Sequence, residues 1–122
     1  EFPVLGEDSI AAAQVAVAVN RVAPELYGKF HYALLHSSGR ANREAAIAAA
    51  TKAGVDRKAL DKALADSTGI NTSLRDTYGL ATRLGISATP SWVVGQDLVI
   101  GAVGFDSLKQ KIADARACGE AC

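Results

Sequence analysis

A chain of 122 residues, 49% hydrophobic and 21% charged, predicts one domain with a modest core. Its 13 basic side chains balance 13 acidic ones, and no block of like charge forms a tail, which argues against a nucleic-acid or polyanion binder. The longest apolar stretch, Ile10 to Val19, is half alanine, is interrupted by Gln14 and ends at Asn20-Arg21, too short and weak to span a bilayer.

The opening residues, Glu1-Phe2-Pro3-Val4-Leu5-Gly6, read as the end of a strand entering a turn. No basic-then-apolar leader is visible there, which leaves the compartment open. Asp8 and Ser9 read as the cap of a first helix from Ile10 to Val22, rich in alanine and valine and suited to close packing. Pro24 ends it or starts the next segment. From Glu25 to His36, Leu26, Tyr27, Phe30 and Leu34, with Ala33, recur at helical spacing and would face the core.

After a Ser37-Ser38-Gly39 loop, Asn42 caps a third helix running through Lys52 and Ala53, with Gly54 as its left-handed terminator. Asp56 caps a fourth, Arg57 to Ala65, with Leu60 and Leu64 on one face. Ser67-Thr68-Gly69 reads as a break, and a fifth helix opens at Ile70 or Asn71 and carries Leu74, Tyr78, Ala81 and Leu84 on one stripe. Gly85 ends it.

The period then changes. Ser91-Trp92-Val93-Val94 and Leu98-Val99-Ile100 read as strands joined by a Gly95-Gln96-Asp97 hairpin loop. Gly101, Gly104 and Asp106 lead into a last helix, Ser107 to Ala117, with Leu108 and Ile112 on its apolar face. A proline in front of a strand removes a donor and fixes φ, so Thr89-Pro90 marks a specific local construction. A lone hairpin is marginal without a third strand or a helix over it. Either the first residues supply that strand or the sheet is incomplete in this chain.

Other groups read as structural. Cys118 and Cys122 are spaced Cys-x-x-x-Cys, about 6 Å apart on a helix and within reach of a disulfide. They fall at a helix C-terminus, where the dipole disfavours a thiolate, so a small structural bridge or free thiols is the reading rather than a redox centre. His31 and His36 stand about 140° apart and share no face. His31 reads as a packed, hydrogen-bonded side chain and His36 as a surface residue at a helix end. No zinc ligand set, phosphate loop or serine-hydrolase frame is present, and no metal or cofactor is implied. Trp92 reads as packed within the sheet.

Four pieces, in order, resemble the DsbA-like branch of the thioredoxin fold. They are the opening segment into Asp8-Ser9, the Tyr27-x-x-Phe30-His31 pattern after Pro24, the segment Leu84-Gly85-Ile86-Ser87-Ala88-Thr89-Pro90-Ser91-Trp92, and Leu98-Val99-Ile100-Gly101-Ala102 through Leu108. The resemblance implies an α/β thioredoxin-like fold with residues 8–84 as a large helical insertion and 85–122 as the Thr-Pro loop, hairpin and terminal helix of the core. It implies a thiol–disulfide oxidoreductase or isomerase acting on protein disulfides, periplasmic or otherwise extracytoplasmic, in which Thr89 and a cis Pro90 contact substrate backbone. The family's Cys-x-x-Cys has no counterpart in this chain. The strand and helix that carry it would precede Glu1, so the chain is expected to be inactive alone. Loss of that strand would leave the edge along Ser91 to Val94 open to dimerisation or strand exchange. Two alternatives stand beside this: a non-catalytic peptide-binding module of the same fold, and a relative of the glutathione-transferase kappa or chromene-carboxylate isomerase branch.

Overall fold

The computed structural model describes residues 1–119. Its elements are α1 (Glu7–Val22), a 3-10 turn (Pro24–Leu26), α2 (Tyr27–Leu35), α3 (Arg43–Ala53), α4 (Arg57–Ala65), α5 (Ser67–Arg83), β1 (Ser91–Val94), β2 (Asp97–Ile100) and α6 (Phe105–Cys118). Among the described residues the protein is thus mostly helical with a small antiparallel sheet of two strands. It divides into two compact units, Glu1–Leu80 and Ala81–Cys122, with the division inside α5.

In the first unit α1 is the central helix. Ala12, Ala13, Val15, Ala16, Ala18 and Val19 are all buried on it, so α3 and α4 pack against it through small side chains. Phe30, Leu60 and Ile70 contribute the bulk that alanine cannot, each almost completely buried. Around Phe30, Leu26, Tyr27, Ala33 and Leu34 pack at the helical spacing that the sequence predicts.

Side-chain caps fix where two of the helices begin. Asn42 accepts from the Ala45 N–H at 2.9 Å and Asp56 from the Ala59 N–H at 2.7 Å, satisfying donors that have no partner within the helix. Gly54, at φ 94°, ends α3 in the left-handed conformation. The Gly54 and Val55 N–H groups then donate back to Thr51 and Ala50, both at 3.0 Å, as in a Schellman ending. The same pattern recurs at the end of α5. Gly85, at φ 70°, donates to the Thr82 carbonyl and Ile86 to that of Ala81.

Four expectations are corrected. α1 begins at Glu7, with Gly6 rather than Asp8 or Ser9 at its N-cap; Glu7 and Asp8 fill the first turn, where acidic side chains favour the positive helix end. Ser67-Thr68-Gly69 does not break the chain but forms the first turn of α5. Asp66 ends α4 and serves the next helix at once, accepting from the Gly69 N–H at 3.4 Å while Arg21 lies 3.5 Å from its other oxygen. A Cβ at position 69 would stand 2.7 Å from the Arg21 guanidinium, so a larger residue there would push that flexible side chain aside. Residues 1–6 form no strand. They are held instead by two tyrosines, Tyr78 donating to the Pro3 carbonyl and Tyr27 to the Glu1 carboxylate, with Phe2 edge-on to Tyr78 at 5.0 Å. Finally, the hairpin loop is two residues, not three: Asp97 already pairs with Val94. Gly95 takes φ 62° at the first central position while Gln96 keeps negative φ, the arrangement of a type II′ turn.

Candidate functional site

The segment from Gly85 to Gly95 carries the site that the sequence singles out. The α5 terminus delivers the chain into a loop, Ile86 to Pro90, in which Ser87, Thr89 and Pro90 are exposed. The Thr89–Pro90 peptide bond is cis. Ser91, the first residue of β1, folds its hydroxyl back to donate to the Ala88 carbonyl at 2.6 Å, closing the loop over Thr89 and Pro90. Sequence reasoning missed this latch, and the only signal for it was a serine directly after the proline.

The ladder starts inside the loop. Gly101 donates to the Pro90 carbonyl at 2.8 Å, and the register runs Ser91 to Ile100, Trp92 to Val99, Val93 to Leu98 and Val94 to Asp97. Bonded and non-bonded pairs alternate in an antiparallel ladder. With position 90 bonded to β2, positions 92 and 94 are bonded as well. The N–H and C=O groups of Ser91 and Val93 therefore point away from β2. Among the described residues no third strand takes them up. Alternation also sorts the side chains. Val99 is buried on one face, opposite Trp92, which is half-buried. On the other face Val93, Leu98 and Ile100 are 56%, 39% and 44% exposed.

Chemically the loop carries no reactive group. From Gly85 to Gly95 there is no thiol, imidazole, carboxyl or amine that could act as nucleophile, acid or base. Cys118 lies at the C-terminal end of α6 and is held in a disulfide. Its expected partner, Cys122, lies outside the described residues. His31 departs from expectation: it is exposed, its ring stacked on Tyr27 at 5.8 Å. His36 caps α2 at the surface, with Nδ1 2.9 Å from the Tyr32 carbonyl oxygen. No group of His, Cys, Asp and Glu among the described residues could hold a metal ion, and no helix is long and apolar enough to cross a membrane.

Comparison with known proteins agrees with this arrangement. The DSBA-like thioredoxin domain matches residues 2–113. A search of curated proteins found no match. Among solved structures, a thioredoxin-like oxidoreductase from Silicibacter pomeroyi DSS-3 is similar at 33% identity and TM-score 0.85, over 98% of this chain and 67% of that one. The thiol-disulfide exchange protein alpha-DsbA2 from Wolbachia pipientis is similar at 27% identity and TM-score 0.84, over 93% of this chain and 61% of that one. A periplasmic thioredoxin-like protein from Salmonella enterica serovar Typhimurium is similar at 26% identity and TM-score 0.76, over 95% and 63%. The chain thus spans 61% to 67% of the length of these relatives.

Proposed function

Because the chain belongs to the DSBA-like thioredoxin domain family, we propose that it is the substrate-binding side of a thiol–disulfide oxidoreductase or isomerase acting on protein disulfides. The catalytic dithiol is supplied from outside these 122 residues. The observation that carries this reading is the loop itself. Thr89 and Pro90 are exposed at the start of a strand whose Ser91 and Val93 amides and carbonyls have no strand partner among the described residues. An extended substrate segment pairs by main-chain hydrogen bonds with the exposed backbone at Thr89 and Pro90 and needs no particular side chain, which suits an enzyme that meets many unfolded proteins, while the Ser91 and Val93 edge is left for the strand that carries the dithiol. A dithiol carried on the N-terminal end of a helix would then do the exchange, since that end lowers a thiol's pKa.

Cys118 is on the opposite kind of helix end. Its disulfide is read as structural, outside the redox chemistry. The Salmonella relative is a periplasmic protein, which supports an extracytoplasmic location for this chain, where a disulfide persists. The same open edge favours a second reading, a peptide-binding module that performs no exchange, and it also favours association of two copies through β1.

The test is an amide NMR titration of the chain with an unfolded, cysteine-bearing peptide, run beside an insulin-reduction assay. Saturable shifts at Thr89 and Ser91, on either side of Pro90, with no insulin reduction above the dithiothreitol blank, are expected. Robust turnover lost in Cys118→Ser would overturn the assignment of the cysteines. Absence of any shift at Thr89 and Ser91 would overturn the assignment of the loop.

A further inference from the structure

An open groove of about 820 Å3 runs between α2 and α3 in the first unit. Its floor is made of small residues: Gly28 and Ala33 from α2, and Ala45, Ala48 and Ala49 from α3. The α3 contribution repeats every three to four residues, which places it along one face. Measured from Ala45 to Ala53 at 1.5 Å per residue, the groove is about 12 Å long. Tyr32, 65% exposed, forms one wall, its ring stacked on His36 at 3.9 Å.

The charges are distributed unevenly. Lys29 and Lys52 line the groove, and no acidic residue does. Neither lysine makes an ion pair among the described residues. α2 and α3 are joined by the short connection His36 to Asn42 and pack closely along their length, so they run antiparallel as a helical hairpin. Lys29 is in the first turn of α2 and Lys52 in the last turn of α3. The two ammonium groups therefore belong to the same end. The opposite end carries His36, Ser37 and Ser38.

A cationic pair at one end of an apolar trough is complementary to a ligand with a single anionic head and an apolar body. We propose that this groove binds an amphipathic carboxylate with a medium-length alkyl or aryl body, its head between Lys29 and Lys52 and its body along Ala48 and Ala49 under the Tyr32 ring. A docked peptide helix fits less well. Two turns is all the groove would contact, fewer than an isolated helix needs for stability, and the positive charge is concentrated at one end rather than spread along a rim.

Decanoate below its micellar concentration is the probe, titrated into the 122-residue chain and followed by amide NMR. Saturable shifts confined to residues 28–36 and 45–53 are expected. Lys29→Gln with Lys52→Gln should weaken binding about tenfold, since two exposed charge contacts are lost. Ala48→Trp, which fills the trough from an exposed position, should abolish it. Decylammonium or decanol binding as tightly as decanoate would overturn the proposal. So would affinity unchanged in the double lysine variant, or an acidic helical peptide displacing decanoate from the groove as the tighter ligand. The lysine variants are surface changes and keep the test decisive even if Ala48→Trp fails to fold.

Discussion

Gly101 donates its N–H to the Pro90 carbonyl oxygen at 2.8 Å, and that bond sets the phase of the β1–β2 ladder. Because proline offers no N–H in return, the pair at positions 90 and 101 carries one bond where an ordinary pair carries two. The phase turns the Ser91 and Val93 backbone groups outward. An outward-facing edge flanked by an apolar face is a template for another strand.

Self-association through that edge is therefore expected. Analytical ultracentrifugation of the chain should give a weight-average mass that rises with concentration toward a dimer. Val93→Lys puts a charge on the exposed face of the edge strand and should return it to the monomer without changing the far-ultraviolet circular dichroism. A wild-type chain that stays monomeric throughout would remove the edge as an association site.

The capping bonds make a second, separable prediction. Asn42→Ala removes the acceptor of the Ala45 N–H, and Asp56→Ala that of the Ala59 N–H. Each should cost about 1 kcal/mol in urea unfolding of the first unit. The two caps are on different helices with no shared partner, so the double variant should lose close to the sum. A strongly non-additive result would mean that α3 and α4 begin to form together.

These two caps, Gly54 and Gly85 were legible in the sequence because each works through neighbours along the chain. An Asn or Asp before a helix accepts from a donor three residues on, and a glycine after it accepts the left-handed turn. What misled was local chemistry overruled from a distance. Ser67-Thr68-Gly69 has the composition of a loop, yet Asp66 starts α5 there and Arg21, from α1, occupies the space a side chain at 69 would need. Glu1-Phe2-Pro3 has the look of a strand end, but Glu1 is held by Tyr27 and Phe2 and Pro3 by Tyr78, and nothing in residues 1–6 announces these partners. The Thr89-Pro90 loop was legible as a motif. Its Ser91 latch was not, since a serine hydroxyl that bonds three residues back leaves no periodic trace. The α2–α3 groove was hidden for another reason: its alanines read as helix formers, and only the pairing of α2 with α3 puts Lys29 and Lys52 at the same end.

An alanine-rich core concentrates the consequences of losing a large side chain. Phe30 is completely buried against α1 and its neighbours, in a cluster otherwise built mainly from alanine and valine. Small side chains cannot collapse far into the space it would leave. Phe30→Ala should therefore cost about 3–5 kcal/mol, at the upper end for such changes. Urea denaturation followed by circular dichroism at the helix band measures it, and a loss under about 1 kcal/mol would mean that the helices repack around the gap.

Tyr27 gives the fold an alkaline limit. Burial of its ring lifts the hydroxyl above the ordinary tyrosine pKa, and the Glu1 carboxylate lifts it further, both by accepting its hydrogen bond and through its negative charge. In the unfolded chain the same group titrates near the ordinary tyrosine value of about 10. Below that pH both states hold the proton and the contribution to stability is complete. Above it the unfolded chain releases the proton while the folded chain retains it, so stability falls as pH rises toward the elevated folded value. The urea midpoint should accordingly decline from about pH 10 upward. Tyr27→Phe should lower stability at neutral pH, where the bond to Glu1 is lost, and flatten that alkaline decline. A variant whose midpoint falls with pH as steeply as the wild type would assign the alkaline limit to another group.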